Sequence, residues 1–287
     1  MGHHTVPQRY LKNFESPDKP GCIWMFDKQL NTGKFVPIKV AVQSRAFYSQ
    51  EIETALAIQV EKPANIVIAK ILRGEIQDES IGLEDRTALS YYMATMIRRV
   101  PKSRKRDQKH VPGAIAVAAE KARALVEQHK REGRIRDIDV PAIFVRIEEW
   151  EQRALKEHPQ EVRQVIETPW PLQNMLTVIH NMYWRILRCS GSSKFMASDN
   201  PATFFEGGGL GALDCELILP LSSDLLLHCS QQDVHIPGVH IIEEKVVKEL
   251  NKRTAAYADR FLFYHEQADW IPEVAKNKPE QVGRLEW

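Results

Sequence analysis

Glu51–Arg73 reads EIETALAIQVEKPANIVIAKILR. Its apolar residues fall at positions 52, 56, 60, 66, 67 and 71, the spacing of one helical face. Pro63 interrupts the stretch and splits it into two helices, because proline lacks an N–H and crowds the preceding turn. On the N-terminal side the period changes. Cys22–Lys28 and Lys34–Val42 are strand-like, with turn chemistry at Asn31-Thr32-Gly33 between them, which predicts a hairpin. Pro37 puts the second strand at a sheet edge. On the C-terminal side the helical pattern continues. Leu83–Val100 is amphipathic and stops before Pro101, and Ala114–Arg131 is rich in helix formers and ends near Gly133. Val140–Glu157 carries Pro141 in its first turn, where proline is tolerated, and Leu172–Leu187 follows Trp170-Pro171.

After Gly191 strand-like runs return at Lys194–Ala197, Cys215–Leu219, Asp224–Ser230 and Phe261–His265, with a helix over Ile241–Arg260. The expectation is an α+β fold in a single domain, 1–287. A helical middle, 51–190, lies between β-rich parts at 1–50 and 191–270. An isolated hairpin is marginal, so the strands of the two ends are expected to join in one sheet.

Totals exclude several function classes. Lys plus Arg number 39 and Asp plus Glu 38, so net charge +1 gives no global steering toward nucleic acid or membrane. An anionic partner must be drawn by a local patch. No run approaches the roughly 20 apolar residues of a spanning helix. The N-terminus has no apolar h-region, and Cys22, Cys189, Cys215 and Cys229 show no C-x-x-C spacing. These features predict a cytoplasmic protein with reduced, structural cysteines and no membrane partner.

The residues that can carry chemistry are few. His3 and His4 are candidate metal ligands or general bases, since imidazole titrates near neutrality and binds transition metals. The competing reading is that they pin the N-terminus by hydrogen bonds. Ser198-Asp199-Asn200-Pro201 follows a short strand; Asp199 can ligate a metal or act as base, and Asn200 can orient a substrate. A local capping turn before proline explains the same residues. Glu61, in an otherwise apolar helical stretch, completes with His3, His4 and Asp199 a set suited to a divalent metal such as Mn²⁺, Mg²⁺ or Zn²⁺. Its alternative is an exposed helix charge. Arg98–Lys109 reads RRVPKSRKRDQK, seven basic positions against one acidic. Such a segment attracts phosphates, although Lys102–Lys109 also reads as a solvated loop. Gln8, Tyr10, Arg98, Arg99 and Ser198 are the candidate substrate-binding residues. No Walker motif, G-x-S-x-G elbow or H-E-x-x-H is present.

The opening HHTVPQRYLKNF resembles the His-His-x-Val-Pro-x-x-Tyr-Leu-x-x-Phe signature of the bacterial domain-of-unknown-function family 4238. Further matches follow in order: Ala46-Phe47-Tyr48, Val60-Glu61 with Ala64 and Ile71-Leu72, Met96–Pro101 (MIRRVP), Ala197–Pro201 (ASDNP), Leu219–Ser222 (LPLS) and Leu250-Asn251. The resemblance runs nearly end to end but implies no activity. From the residues themselves the expectation is a hydrolase acting on phosphodiesters, a metal-dependent nuclease with RNA or DNA as partner. The alternative is a non-enzymatic binding or sensing module, in either case compatible with anti-phage defence or a toxin system. The His-His and Ser-Asp-Asn segments are expected to be neighbours in space.

Overall fold

The computed structural model describes residues 2–41, 43–45, 49–76, 81–157, 168–204, 209–232 and 238–282. Contacts group the chain into two compact units, Met1–Val100 with Pro169–Trp287, and Pro101–Thr168. Among the described residues no helix is long and apolar enough to cross a membrane. No disulfide joins the four cysteines.

The fold is α+β, and the first unit holds its strands. The predicted hairpin forms as β2 (Cys22–Asp27) and β3 (Thr32–Pro37). Its register sets Gly33 against Phe26, directly beneath the neighbouring Trp24 ring. A Cβ at Gly33 would sit 2.4 Å from that ring, so only glycine fits there. Strands of the two chain ends do join: β11 (Phe261–Tyr264) and β6 (Ala197–Ser198) extend the hairpin in the order β3-β2-β11-β6, with Pro37 on the edge strand.

The single-sheet expectation is nevertheless corrected. β5 (Tyr183–Cys189), β7 (Thr203–Phe204), β8 (Glu216–Pro220), β9 (Leu225–Ser230) and β10 (Val239–Ile242) form a second sheet, ordered β10-β5-β9-β8-β7. β1 (Gly2–His4) pairs only with β4 (Gln43–Arg45).

The helical middle is corrected at its C-terminal end. The helix expected over Leu172–Leu187 is α7 (Gln173–Asn181), and the chain then turns into β5. Tyr183–Leu187 is aromatic and aliphatic except for Arg185, and β5 is an interior strand of its sheet. A strand covered on both faces loses the alternation that would have marked it. The next helix is shorter than its expected span and is preceded by strand β10. It is α8 (Glu244–Tyr257).

Before these come α1 (Gln8–Leu11), α2 (Gln50–Leu56), α3 (Lys62–Leu72) and α4 (Leu83–Arg98). Pro63 does not break the chain into two separated helices. It sits in the first turn of α3, and the disturbance is taken up by a π-helical turn at Ala57–Glu61. Val6, Tyr10, Leu11 and Phe14 pack into one apolar core with Leu56, Val60, Ile68, Leu89, Met93 and the inner residues of the second sheet.

The second unit contains two long helices, α5 (Pro101–Arg131) and α6 (Val140–Glu157), packed through Val111, Ile115 and Ala154. An Arg123–Glu151 ion pair of 2.6 Å adds to the contact. Lys102–Lys109, one of whose readings was a solvated loop, is the first part of α5. Lys, Arg and Gln are good helix formers, and Pro101 occupies the first turn, so charge density was the wrong cue for a loop.

Candidate functional site

The C-terminal half of α4 carries Tyr92 and Thr95, and Arg99 is its C-cap in helical conformation; the spacing i, i+3 and i+7 places the three on one helix face. All three are buried, and Arg99 is only 1% exposed. Its guanidinium donates to Glu61 Oε1 at 2.6 Å and lies 3.7 Å from Glu53 Oε2. These two carboxylates reach the same arginine because of the π turn. Eight residues of α-helix rotate about 800°, which would leave Glu61 roughly 80° around the helix from Glu53. The extra residue absorbed by a π turn removes most of that offset. Pro63 thus has a geometric consequence: it stabilises the turn that aligns the two carboxylates.

Tyr10, fully buried on α1, faces Tyr92. Burial, and then the neighbouring Tyr92, push its phenol well above the ordinary value. Burial and the Glu61 charge raise Tyr92 likewise, against the pull of Arg99. The hydroxyls of Tyr10, Tyr92 and Thr95 are buried and have no hydrogen-bond partner among the described residues. Arg98, 4% exposed, closes the C-terminus of the same helix. Of the residues singled out from sequence, Tyr10, Glu61 and Arg99 therefore come together, and the helix that carries Arg99 also carries Arg98.

His3 and His4 lie in β1, opposite Ser44 and Gln43. Their side chains, and so their separation from Asp199, are outside the described residues. Gln8 is on α1. Ala46-Phe47-Tyr48 also falls outside the described residues.

The Ser-Asp-Asn-Pro segment is engaged in holding backbone. Asp199 Oδ1 accepts the N–H of Asp259 at 2.8 Å, and Oδ2 accepts those of Arg260 and Phe261 at 2.7 and 2.9 Å. Burial raises its carboxyl to about 6 even though these three donors pull the other way. Ser198 Oγ donates to the Asn200 carbonyl and accepts the Asn200 N–H, closing a local turn. Asn200 Nδ2 donates to the Tyr257 carbonyl at 2.9 Å. The segment therefore fastens β6 to the junction between α8 and β11. Asn251 does the same one step upstream: its side chain accepts from Met196 N–H and donates to the Lys194 carbonyl. Those bonds take the place of a ladder: of the expected strand, Lys194–Ala197, only Ala197 pairs with a neighbour, and Ser198 beyond it continues the pairing.

A second polar cluster escaped the sequence reading. Arg185, His228 and Thr203 lie in one row across β5, β9, β8 and β7, set by the pairs Arg185↔His228, His228↔Ile218 and Ile218↔Thr203. Glu216, on the same face, pairs with Arg253 of α8 and lies 3.8 Å from His228 Nε2. Burial opposes ionisation of Glu216, but the His228 hydrogen bond and the Arg253 charge outweigh it and bring the carboxyl to about 2. Burial lowers the His228 pKa, with the Arg185 and Arg253 charges adding to the effect and Glu216 opposing it. The sequence does contain a signal for this cluster: single charged or polar residues inside otherwise apolar strands, as in YWRILRC, CELILP and LLLHCS.

Among the described residues no group of three or more His, Cys, Asp or Glu is placed to hold a metal. Glu53 and Glu61 would supply carboxylate oxygens to a divalent ion, but Arg99 already occupies the position between them. Fold and site together define an α+β protein with two enclosed arginine–carboxylate clusters, one on helices and one beneath a sheet. The chain belongs to the family described as "Protein of unknown function (DUF4238)", whose model matches residues 2–268. No curated protein and no solved structure matches it.

Proposed function

We propose that the protein is a hydrolase acting on a phosphodiester, with Arg98 and Arg99 as the anion-binding residues and Glu61 as the proton-transfer group. The observation that supports this is the convergence of Tyr10, Glu61, Tyr92 and Arg99 from three segments of the chain, with Thr95 on the same helix face. A buried hydroxyl without a partner costs about 1–3 kcal/mol. Three of them beside a buried guanidinium suit the non-bridging oxygens of a phosphoryl group, which accept several hydrogen bonds at once. A carboxylate hydrogen-bonded to the arginine is a reasonable base for an attacking water. A metal cofactor, if used, would have to displace Arg99 from Glu61 or bind through the N-terminal histidines.

The test is hydrolysis of RNA, single-stranded DNA and cyclic dinucleotides by purified protein, with Mn²⁺ and with a chelator. Wild type is expected to release product, and Tyr92→Phe and Glu61→Gln to reduce the rate at least tenfold. Tyr92→Phe removes only an unsatisfied hydroxyl, so its melting temperature should not fall. Full activity in both variants would refute this site. The second reading is a non-enzymatic binding module. It is favoured by the engagement of both Asp199 oxygens with backbone N–H groups, which gives the Ser-Asp-Asn-Pro segment a structural task. Saturable phosphodiester binding without turnover would support it.

A further inference from the structure

Away from both polar clusters, α4 and α7 enclose a cleft of about 230 Å³, open to solvent on one side. That is below the roughly 300–1,000 Å³ of drug-sized sites and leaves room for a small compound only. It opens on a different face of α4 from Tyr92 and Arg99, turned roughly a third of the way around the helix.

Its chemistry is specific. Among the described residues no Asp, Glu, Lys or Arg lines it, and His180 adds an imidazole. Three aliphatic hydroxyls line it, beside the phenol of Tyr91, and each of the three donates its proton to the carbonyl one turn back: Thr87 to Leu83 at 2.7 Å, Ser90 to Arg86 at 2.8 Å and Thr177 to Gln173 at 3.1 Å. Their oxygens are therefore left as acceptors toward the cleft. The side-chain amides of Gln173 and Asn181 add donors as well as acceptors, and Tyr91 and Leu176 supply an apolar surface. The walls are fixed in advance. Arg86 donates to the His180 carbonyl at 2.7 Å and to the Met182 carbonyl, and its guanidinium stacks 4.3 Å over the Trp184 ring. This satisfies carbonyls at the end of α7 and ties that helix to α4.

A cation would find no carboxylate among these residues, and an anion only the imidazole of His180. A purely apolar ligand would strand the hydroxyl and amide groups. A compound that donates to three oxygens, accepts from two amides and lays C–H groups on a phenol ring is a sugar. We propose that this cleft binds an uncharged sugar ring, either free or as the ribose of a nucleoside. The proposal does not rest on the phosphodiester reading, and the two sites can fail separately.

The test is isothermal titration calorimetry of the whole protein with D-glucose, D-ribose, adenosine and uridine, and with glucose 6-phosphate as the charged control. At least one neutral compound is expected to bind, and glucose 6-phosphate to bind more weakly than glucose. Heat from the free sugars identifies the sugar ring alone as sufficient; heat from the nucleosides only identifies the ribose source. Thr177→Val and Gln173→Ala, both at exposed positions, should weaken binding at least tenfold and shift the melting temperature by no more than about 2 °C. Absence of binding by all four neutral compounds, or binding that both substitutions leave unchanged, would overturn the proposal.

Discussion

Asp199→Ala separates the two readings of the Ser-Asp-Asn-Pro segment, because its effect on stability follows from the geometry. The substitution removes the acceptor of three backbone N–H groups, those of Asp259, Arg260 and Phe261, at 2.7–2.9 Å. Leaving a buried donor without a partner costs about 1–3 kcal/mol, and these sites are part-buried, so the low end applies to each. Three such losses come to about 3 kcal/mol. Removing a carboxylate whose burial is itself unfavourable returns roughly 1 kcal/mol. The expected net loss is about 2 kcal/mol, or roughly 4–8 °C in melting temperature for a unit of about 200 residues. Asp199→Asn keeps one acceptor oxygen and should fall between wild type and alanine. Thermal and urea unfolding followed by circular dichroism gives the size of the effect. Amide exchange gives its location: protection at residues 259–261 should drop by about tenfold or more. An unchanged unfolding midpoint, with those amides still protected, would refute the assignment of Asp199 to the α8–β11 junction.

Two further outcomes are expected. Glu216, 4% exposed, has a folded pKa of about 2, below the ordinary carboxylate value. It therefore contributes stability above the unfolded pKa that is lost as pH falls through the folded one, an amount of about 3 kcal/mol. Urea titrations from pH 6 to pH 3 should show a steeper loss for wild type than for Glu216→Gln, and parallel curves would contradict the linkage. Gly33→Ala should destabilise the protein by about 1–3 kcal/mol, since the new Cβ meets the Trp24 ring at 2.4 Å. A neutral substitution would mean that the ring swings aside at no cost.

Much of the fold was legible where one physical rule dominated. Val140–Glu157 has the length and the proline placement of a helix and is one, with those boundaries. Pro37 marked an edge strand because a missing N–H is harmless only there. Legibility failed where two rules produce the same pattern. Tyr183–Leu187 carries bulky apolar residues on both faces, with Arg185 alone among them, so neither period could be distinguished, and the helix was read through a strand. Lys102–Lys109 is mostly basic, and charge alone does not separate a loop from the solvated face of a long helix. The π turn at Ala57–Glu61 has no sequence period of its own. Only the proline after it hints at a disturbance.

The candidate site was legible in half, and the division has a cause. The residues of the matched motifs fall into two groups. Ser198, Asp199, Asn200, Ser222 and Asn251 direct side-chain oxygens or amides at backbone groups, which are chain-closing bonds that fix where strands begin and helices end. Tyr10, Glu61 and Arg99 instead gather around hydroxyls that have no partner among the described residues. Both groups look alike in a sequence, as polar residues beside apolar runs. Only partner counting separates them: a group whose hydrogen bonds are complete has its task within the fold, whereas a buried group with a bond still to make is held ready for something else. By that criterion the proposed chemistry is assigned to the α1–α4 cluster rather than to Asp199. There Tyr10 was selected from the N-terminal signature and Glu61 from its apolar setting. Tyr92 went unnoticed, since a tyrosine on an amphipathic helix is ordinary until its hydroxyl is found buried next to a second one.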